Sequence, residues 1–445
     1  MSEGSLKAPE RRPVPWRDPD FYDPAKLDAE LRRVFDICHG CRRCFNLCDS
    51  FPRLFDLVDG SESGEVEGVK SADFKSVVDA CTLCDLCFMT KCPYVPPHEF
   101  DVDFPHLMLR YRAVEARQGK VPFATRELVK TDRNGRLGCK VSSVANWATR
   151  CSNHLTRPLM ETAAGIHREA TLPSFSAKTL IDLAAAERPE INRQAPAFGR
   201  KAVLYATCFG NYNNPAIGIA TRRVLAKNGV ETEIAYAGCC GMPELEQGNI
   251  EAVAASAGKV ARDLGQWLDK GYDVIALVPS CALMLKFEWP LIVPGDEAVK
   301  RLGKSTFDVS EYLVSIAKKE GLAPGLKPLE GGVALHIACH ARAQNMGQKA
   351  AEMLKLLPNA DVQVIERCSG HGGSWGIMKD NFGVALKIGR PVARQVAEKK
   401  PRFVVSECPL ARDHIVQGAE RQGMDPAAID GHHHPIELMA RAYGL

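Results

Sequence analysis

The chain has 445 residues, more than one ordinary core holds, and at roughly 150 residues per domain about three domains are expected. Its 45% hydrophobic and 25% charged content is that of an average globular protein, and a net charge of +3 gives no basic field to attract nucleic acid. No apolar run approaches the roughly 18 residues that span a bilayer; the longest, Val274 to Leu285, is interrupted by Pro279 and Ser280.

Residues 1–20 are polar and proline-rich, with no apolar stretch of signal-peptide type. They read as a disordered lead-in, and the protein as cytoplasmic. The 17 cysteines are the anomaly. In a large chain without a secretory signal, such thiols are more often metal ligands or reactive groups than disulfides.

Residues 21–104 carry the densest motifs. Cys38, Cys41, Cys44 and Cys48 form C-x2-C-x2-C-x3-C; Cys81, Cys84, Cys87 and Cys92 form C-x2-C-x2-C-x4-C, followed by Pro93. Each run is close to that of bacterial ferredoxins, where three closely spaced cysteines hold one [4Fe–4S] cubane and the fourth crosses to the other. By that logic cluster I takes Cys38, Cys41, Cys44 and Cys92, and cluster II takes Cys48, Cys81, Cys84 and Cys87. Zinc is the alternative, but a cysteine triple with a trailing fourth, occurring twice, is unusual for it. Asp49 stands where a proline is usual, and removes no ligand. Arg42 and Arg43 lie inside the first loop, where they either raise that cluster's potential or point into solvent.

Residues 105–198 read as a helical connector, with helical spacing over His106 to Gln118 and Val144 to Ala170. Cys139 and Cys151 have no partner at metal-ligand spacing here and are expected to be small buried hydrophobes.

The rest of the chain repeats itself, as 199–326 and 327–445. Strand-like Lys201 to Thr207 ends at Cys208, Thr232 to Ala237 leads to Cys239-Cys240-Gly241, and Asp273 to Val278 leads to Pro279-Ser280-Cys281. Gly332 to Ala338 then ends at Cys339, Val362 to Arg367 at Cys368-Ser369-Gly370, and Arg402 to Ser406 at Glu407-Cys408. The offsets drift slowly: 131 residues from Cys208 to Cys339, 129 from Cys239 to Cys368, 127 from Cys281 to Cys408, and 126 from Val309-Ser310-Glu311-Tyr312 to Pro435-Ile436-Glu437-Leu438. Each half is predicted as a βαβαβα unit with a parallel sheet, its cysteines at strand C-termini where open α/β sheets place ligands. Cys208, Cys239, Cys240 and Cys281 converge as a candidate metal site, and Cys339, Cys368 and Cys408 as a second, thinner one. Gly370 to Gly376 contains G-x-G-x-x-G, but no acidic ribose ligand follows, so nucleotide binding is discounted. His432-His433-His434 reads as a solvated loop.

This α+β multidomain layout has a helical dicluster ferredoxin-like domain, a helical connector and two tandem α/β cysteine-rich repeats. It resembles the C-subunits of anaerobic glycerol-3-phosphate dehydrogenases, with glycolate oxidase iron–sulfur subunits and heterodisulfide reductase D-subunits sharing the plan. The resemblance implies CCG domains and an electron-transfer subunit between a partner and quinone or another carrier. That partner would be a flavin dehydrogenase or a rubrerythrin-type peroxide-reducing protein, with any membrane contact peripheral. It also implies a further iron–sulfur cluster or metal in the first repeat. Against the complete CCG pattern Met284 replaces one ligand of the first repeat, and Ser369 and Ala411 replace two of the second. There His340 or His371 supplies a fourth ligand, or the site stays empty. The chain shows no flavin or nicotinamide motif. Two other functions compete: a heterodisulfide reductase-like enzyme acting at the first CCG site, and a redox sensor, which no helix-turn-helix supports.

Overall fold

The computed structural model describes residues 9–445. Its second half holds two small, wholly parallel sheets. β1 (Lys201–Tyr205), β2 (Glu231–Ala235), β3 (Asp273–Ala276) and β4 (Thr306–Asp308) lie in the order β2-β1-β3-β4; β5 (Val333–His336), β6 (Val362–Ile365) and β7 (Phe403–Ser406) lie in the order β6-β5-β7. Leu204 pairs with both Ile234 and Ile275, so β1 is central. The central strands are continuous apolar runs because helices cover both sheet faces.

The expected strand order is present in each repeat, with one addition. β4 ends in Asp308, which caps the helix Val309–Lys319 reciprocally with Glu311. The second repeat keeps this cap in His434 and Glu437 before the helix Pro435–Tyr443. No strand precedes it among the described residues, since Asp430 and His432 fold into a local side-chain contact instead. The histidine triple is therefore not a solvated loop. His434 is 1% exposed and accepts from the Ile436 N–H, while His432 sits on Asp430.

The two repeats pack reciprocally. Helix Pro215–Lys227 of the first lies on Pro435–Tyr443 of the second, and Val309–Lys319 of the first lies on Lys349–Leu354 of the second. Each pairing joins an early helix of one repeat to the last helix of the other, as in an isologous dimer. Ala202, Leu204 and Ile275 share the resulting core with Val333, Leu335, Phe403 and Val405.

Ahead of the repeats, helices Pro24–Cys41, Ser50–Asp59, Phe74–Ala80 and Phe104–Arg117 enclose Phe35, Phe51, Phe55, Phe74 and Met108. This core runs on into that of the first repeat, reaching Val260, Leu264 and Trp289. Phe104–Arg117 matches the helix expected from His106, started two residues earlier by the Asp103 cap. The expected helix over Val144 to Ala170 is broken into Ser142–Thr149 and Thr156–Ala164, because the Asn153 side chain accepts the N–H groups of Leu155 and Thr156 and starts a new turn.

The lead-in is corrected in its described part, residues 9–20. The Val14 N–H donates to Leu291 O at 2.9 Å, Trp16 Nε1 donates to Ile292 O at 2.7 Å, and the Arg11 side chain is 10% exposed. Residues 1–8 lie outside the described residues. Cys151 is also corrected: it is exposed, whereas Cys139 is half-buried and its thiol donates to Tyr212 O.

Candidate metal centres

The helix Pro24–Cys41 delivers Cys38 and Cys41 and ends at Arg42 in the left-handed region (φ 52°). The second loop uses the same device at Leu83 (φ 48°) and Asp85 (φ 62°), conformations that cost energy for non-glycine residues and turn backbone amides toward the loop interior. The eight thiols gather in two fours, each drawing on both motifs. Cys38 sits among Cys41, Cys44 and Cys92, and Cys87 among Cys81, Cys84 and Cys48, with Cys44 of the first four the next thiol out. Burial is the main reason that Cys44 and Cys48 are pushed up to about 12. Backbone N–H groups work the other way: Ser50 and Phe51 donate to Cys48, Leu83 to Cys81, Leu86 to Cys84, and Tyr94 and Val95 to Cys92.

Four crowded thiols with amide donors aimed at them fit a polynuclear iron–sulfur group, which neutralises thiolates that burial alone would keep protonated. Among the described residues no three His, Cys, Asp or Glu side chains are arranged to hold one metal ion.

The two loop arginines part company. Arg42 turns away to Asp59 and the His39 carbonyl. Arg43 lines the cavity of Cys38, Cys41, Cys44 and Cys92 and acts electrostatically on Cys44. Arg43→Ala is expected to lower the potential of the cluster I site by on the order of tens of millivolts, with Arg42→Ala leaving it nearly unchanged. Equal shifts in a redox titration would contradict this.

In the first repeat, Cys208 opens a helical turn after β1, Cys239 and Cys240 follow β2, and Cys281 lies one turn beyond β3. Three adjacent strands thus aim their ends at one place. Cys239 Sγ and Cys208 Sγ are 3.7 Å apart, a contact that holds Cys239 well below and Cys208 well above the ordinary thiol value, and Cys240 interacts with both Cys239 and Cys281. The connector closes this site. Asp132 accepts from the Cys239 N–H at 3.1 Å and from the Tyr236 hydroxyl, and Thr131 lies beside Cys208 and Cys239 with its buried hydroxyl unpaired. Thr131 and Asp132 were missed from sequence because nothing local marks a residue lying more than 70 positions from the thiols it covers, and Tyr236, three positions before Cys239, stands in no motif.

In the second repeat, Cys339, Cys368 and Cys408 follow β5, β6 and β7 and, with His340 and His371, line a cavity of about 120 Å³. The other wall is Thr82, Cys84 and Leu86 of the second ferredoxin-like loop. Cys339 and Cys368 both act electrostatically on Cys84. His340 fixes the junction, with Nε2 against Leu83 O and Nδ1 at 2.8 Å from Ser280 Oγ. Cys84 of the second ferredoxin-like loop therefore abuts the second repeat.

Glu246 lines the same cavity. Burial, partly offset by Arg112, pushes its carboxyl up to about 7. Between about pH 4.5 and 7 the folded chain then binds more protons than the unfolded one, so stability falls as pH rises through that window, by about 1–3 kcal/mol. Glu246→Gln should flatten this slope in urea titrations at pH 5 and 7.5; an unchanged slope would place its origin elsewhere.

Comparison with known proteins agrees with this architecture. The cysteine-rich domain family CCG matches residues 202–286 and again 333–410. The C-subunit of anaerobic glycerol-3-phosphate dehydrogenase from Escherichia coli (strain K12) is 25% identical over 71% of this chain and 76% of its own length. The B-subunit of fumarate reductase (CoM/CoB) from Methanothermobacter marburgensis is 25% identical over 55% of the chain and 47% of its own. The D-subunit of dihydromethanophenazine:CoB–CoM heterodisulfide reductase from Methanosarcina barkeri is 25% identical over 55% and 59%. The chain thus carries two CCG cysteine-rich domains and is similar, over up to about seven-tenths of its length, to subunits of dehydrogenases and reductases.

Proposed function

We propose that the chain is the iron–sulfur electron-transfer subunit of an oxidoreductase. What supports this is the clustering of the eight N-terminal thiols, with Cys92 acting on Cys38, Cys48 acting on Cys87, and Cys84 lying against the second repeat. Cys38, Cys41, Cys44 and Cys92 would hold one [4Fe–4S] cluster, and Cys48, Cys81, Cys84 and Cys87 the other. Residues 21–104 then form the dicluster domain, 105–198 the connector, 199–326 the first CCG domain and 327–445 the second. Iron–sulfur clusters supply one-electron transfer when bound. The chain's own residues hold them, donate N–H groups to the thiolates and wall them from water. Cys208, Cys239, Cys240 and Cys281 form a further metal or cluster site, capped by Asp132.

Relatives named as subunits support a partner, here a flavin dehydrogenase or a peroxide-reducing protein, with quinone or another carrier at the far end. The connector supports it too. Phe123, Leu137, Val144, Trp147, Leu155 and Leu159 are each at least 50% exposed, an apolar surface that a bound partner would cover. No described helix is long and apolar enough to cross a membrane. Purification from native cells should bring the partner down with the chain. A chain that emerges alone and reduces a substrate unaided would overturn the subunit reading.

The reading in which the first repeat is itself catalytic is favoured by the Cys208–Cys239 contact, in which two buried thiols 3.7 Å apart pull each other's pKa values in opposite directions. Cys240→Ala decides between them, since loss of turnover with both N-terminal clusters intact belongs to the enzyme.

A further inference from the structure

The second repeat has three thiols where a four-ligand site needs one more donor. Three buried histidines line its cavity: His336, His340 and His371. Two are already engaged at both ring nitrogens. His336 contacts Ser406 Oγ at 2.8 Å and Arg367 O at 3.0 Å, and His340 contacts Ser280 Oγ and Leu83 O. His371 differs. Its residue is 8% exposed, yet Nε2 is buried with no hydrogen-bond partner; the neighbouring His414, 6.0 Å away between ring centroids, shares that state but does not line the cavity. Leaving such a nitrogen unsatisfied costs about 1–3 kcal/mol, which a bound ligand would relieve. Ser369, which stands where the first repeat has Cys240, has its hydroxyl taken by the His371 N–H at 3.4 Å.

The glycine run around His371 is built for this placement. Gly370 (φ 80°) passes so close to the helix Phe382–Lys399 that a Cβ would lie 2.0 Å from Ala385 O, and a Cβ on Gly376 would lie 2.1 Å from His371 O. The string that mimics a dinucleotide fingerprint is therefore a steric requirement for folding His371 into the cavity. At about 120 Å³ the cavity holds far more than one ion, and no three side chains in it are set around a single ion.

We propose that His371 Nε2 is the fourth ligand of the second repeat, completing Cys339, Cys368 and Cys408 into a three-cysteine, one-histidine iron–sulfur site beside Cys84. This rests on the reading of the repeat cysteines as cluster ligands. A neutral imidazole in place of a thiolate removes one negative charge from the ligand set, so this site should be the first in the chain to accept an electron.

The test is pulsed EPR of the anaerobically reconstituted full chain at a potential that reduces only the first-reduced centre. The expected result is a strongly coupled nitrogen-14 signal, as from a directly bound imidazole. His371→Ala should lose that signal and the iron of one cluster. His371→Cys should keep the iron, lose the strong nitrogen coupling and be reduced at a lower potential. If the unaltered chain shows no such coupling while Cys339→Ala still removes iron, His371 is not the ligand but the cluster reading stands. If Cys339→Ala changes neither iron content nor spectrum, the cluster reading of this repeat falls and the proposal with it. Because the decisive signal is read on the unaltered chain, a variant that misfolds does not rescue the idea.

Discussion

Arg11→Ala is expected to destabilise the protein by about 3–5 kcal/mol. Arg11 Nη2 donates to Asp85 at 2.7 Å, Nη1 to Glu288 at 2.8 Å and Nε to Asp103 at 2.8 Å, with exposures of 10% for Arg11 and 6%, 4% and 20% for the acids. His106 adds a second contact to Glu288 at 3.1 Å, and Phe88 stacks under the guanidinium. Burial works against the Asp103 and Glu288 carboxylates, but Arg11 holds both below their usual range; Asp85, where burial wins, is raised. Removing the guanidinium leaves acids from three parts of the chain buried together without their main counter-charge. Asp85 lies between Cys84 and Cys87, so the same variant should weaken iron retention at the cluster II site. Arg11→Lys keeps the charge but not the fork of donors, and should recover only part of the loss. Urea unfolding checks this, and a loss under about 1 kcal/mol would mean that the acids relax into water.

Cys48→Ala should cost cluster II, and Cys92→Ala cluster I, although each cysteine stands in the motif that supplies the other three ligands of the opposite group. Cys48 has Cys81 as its main thiol neighbour and accepts N–H groups from Ser50 and Phe51, while Cys38 has Cys92 as its first. Each variant should keep about half of the iron of the two clusters, and the surviving EPR signal should differ between them. Cys48→Ala should also abolish electron delivery to the second repeat, because it dismantles the group that includes Cys84, whereas Cys92→Ala leaves that junction in place. Identical spectra from the two variants would refute the crossed assignment.

Much of this was legible in the sequence, and for a physical reason. Metal-type cysteine spacing and duplicated strand ends are local signals, and a drifting offset across Cys208/Cys339, Cys239/Cys368 and Cys281/Cys408 locates equivalent loops without any structure. The strands follow at those places within a residue or two at most boundaries, since β1, β3, β5 and β7 are apolar runs buried on both faces. What the sequence hid is long-range. Nothing near Arg11 announces Glu288, 277 positions away, and a polar, proline-rich segment looks disordered until its partners are known. Asp132 and Thr131 read as ordinary residues of a helical connector. The placement of Cys84 against the second repeat depends on how the repeats pair through their helices, which no motif encodes. His371 was visible only as a histidine among glycines; of the three histidines lining the cavity, it alone has an unpaired Nε2 while His336 and His340 are engaged.

The central claim is that the eight N-terminal cysteines hold two iron–sulfur clusters. Iron, labile sulfide and zinc analysis of the anaerobically reconstituted chain, followed by EPR of the reduced protein, tests it most directly. The account predicts about eight iron atoms or more per chain, and two reduced centres close enough for their spins to interact. Iron near zero with stoichiometric zinc would contradict it.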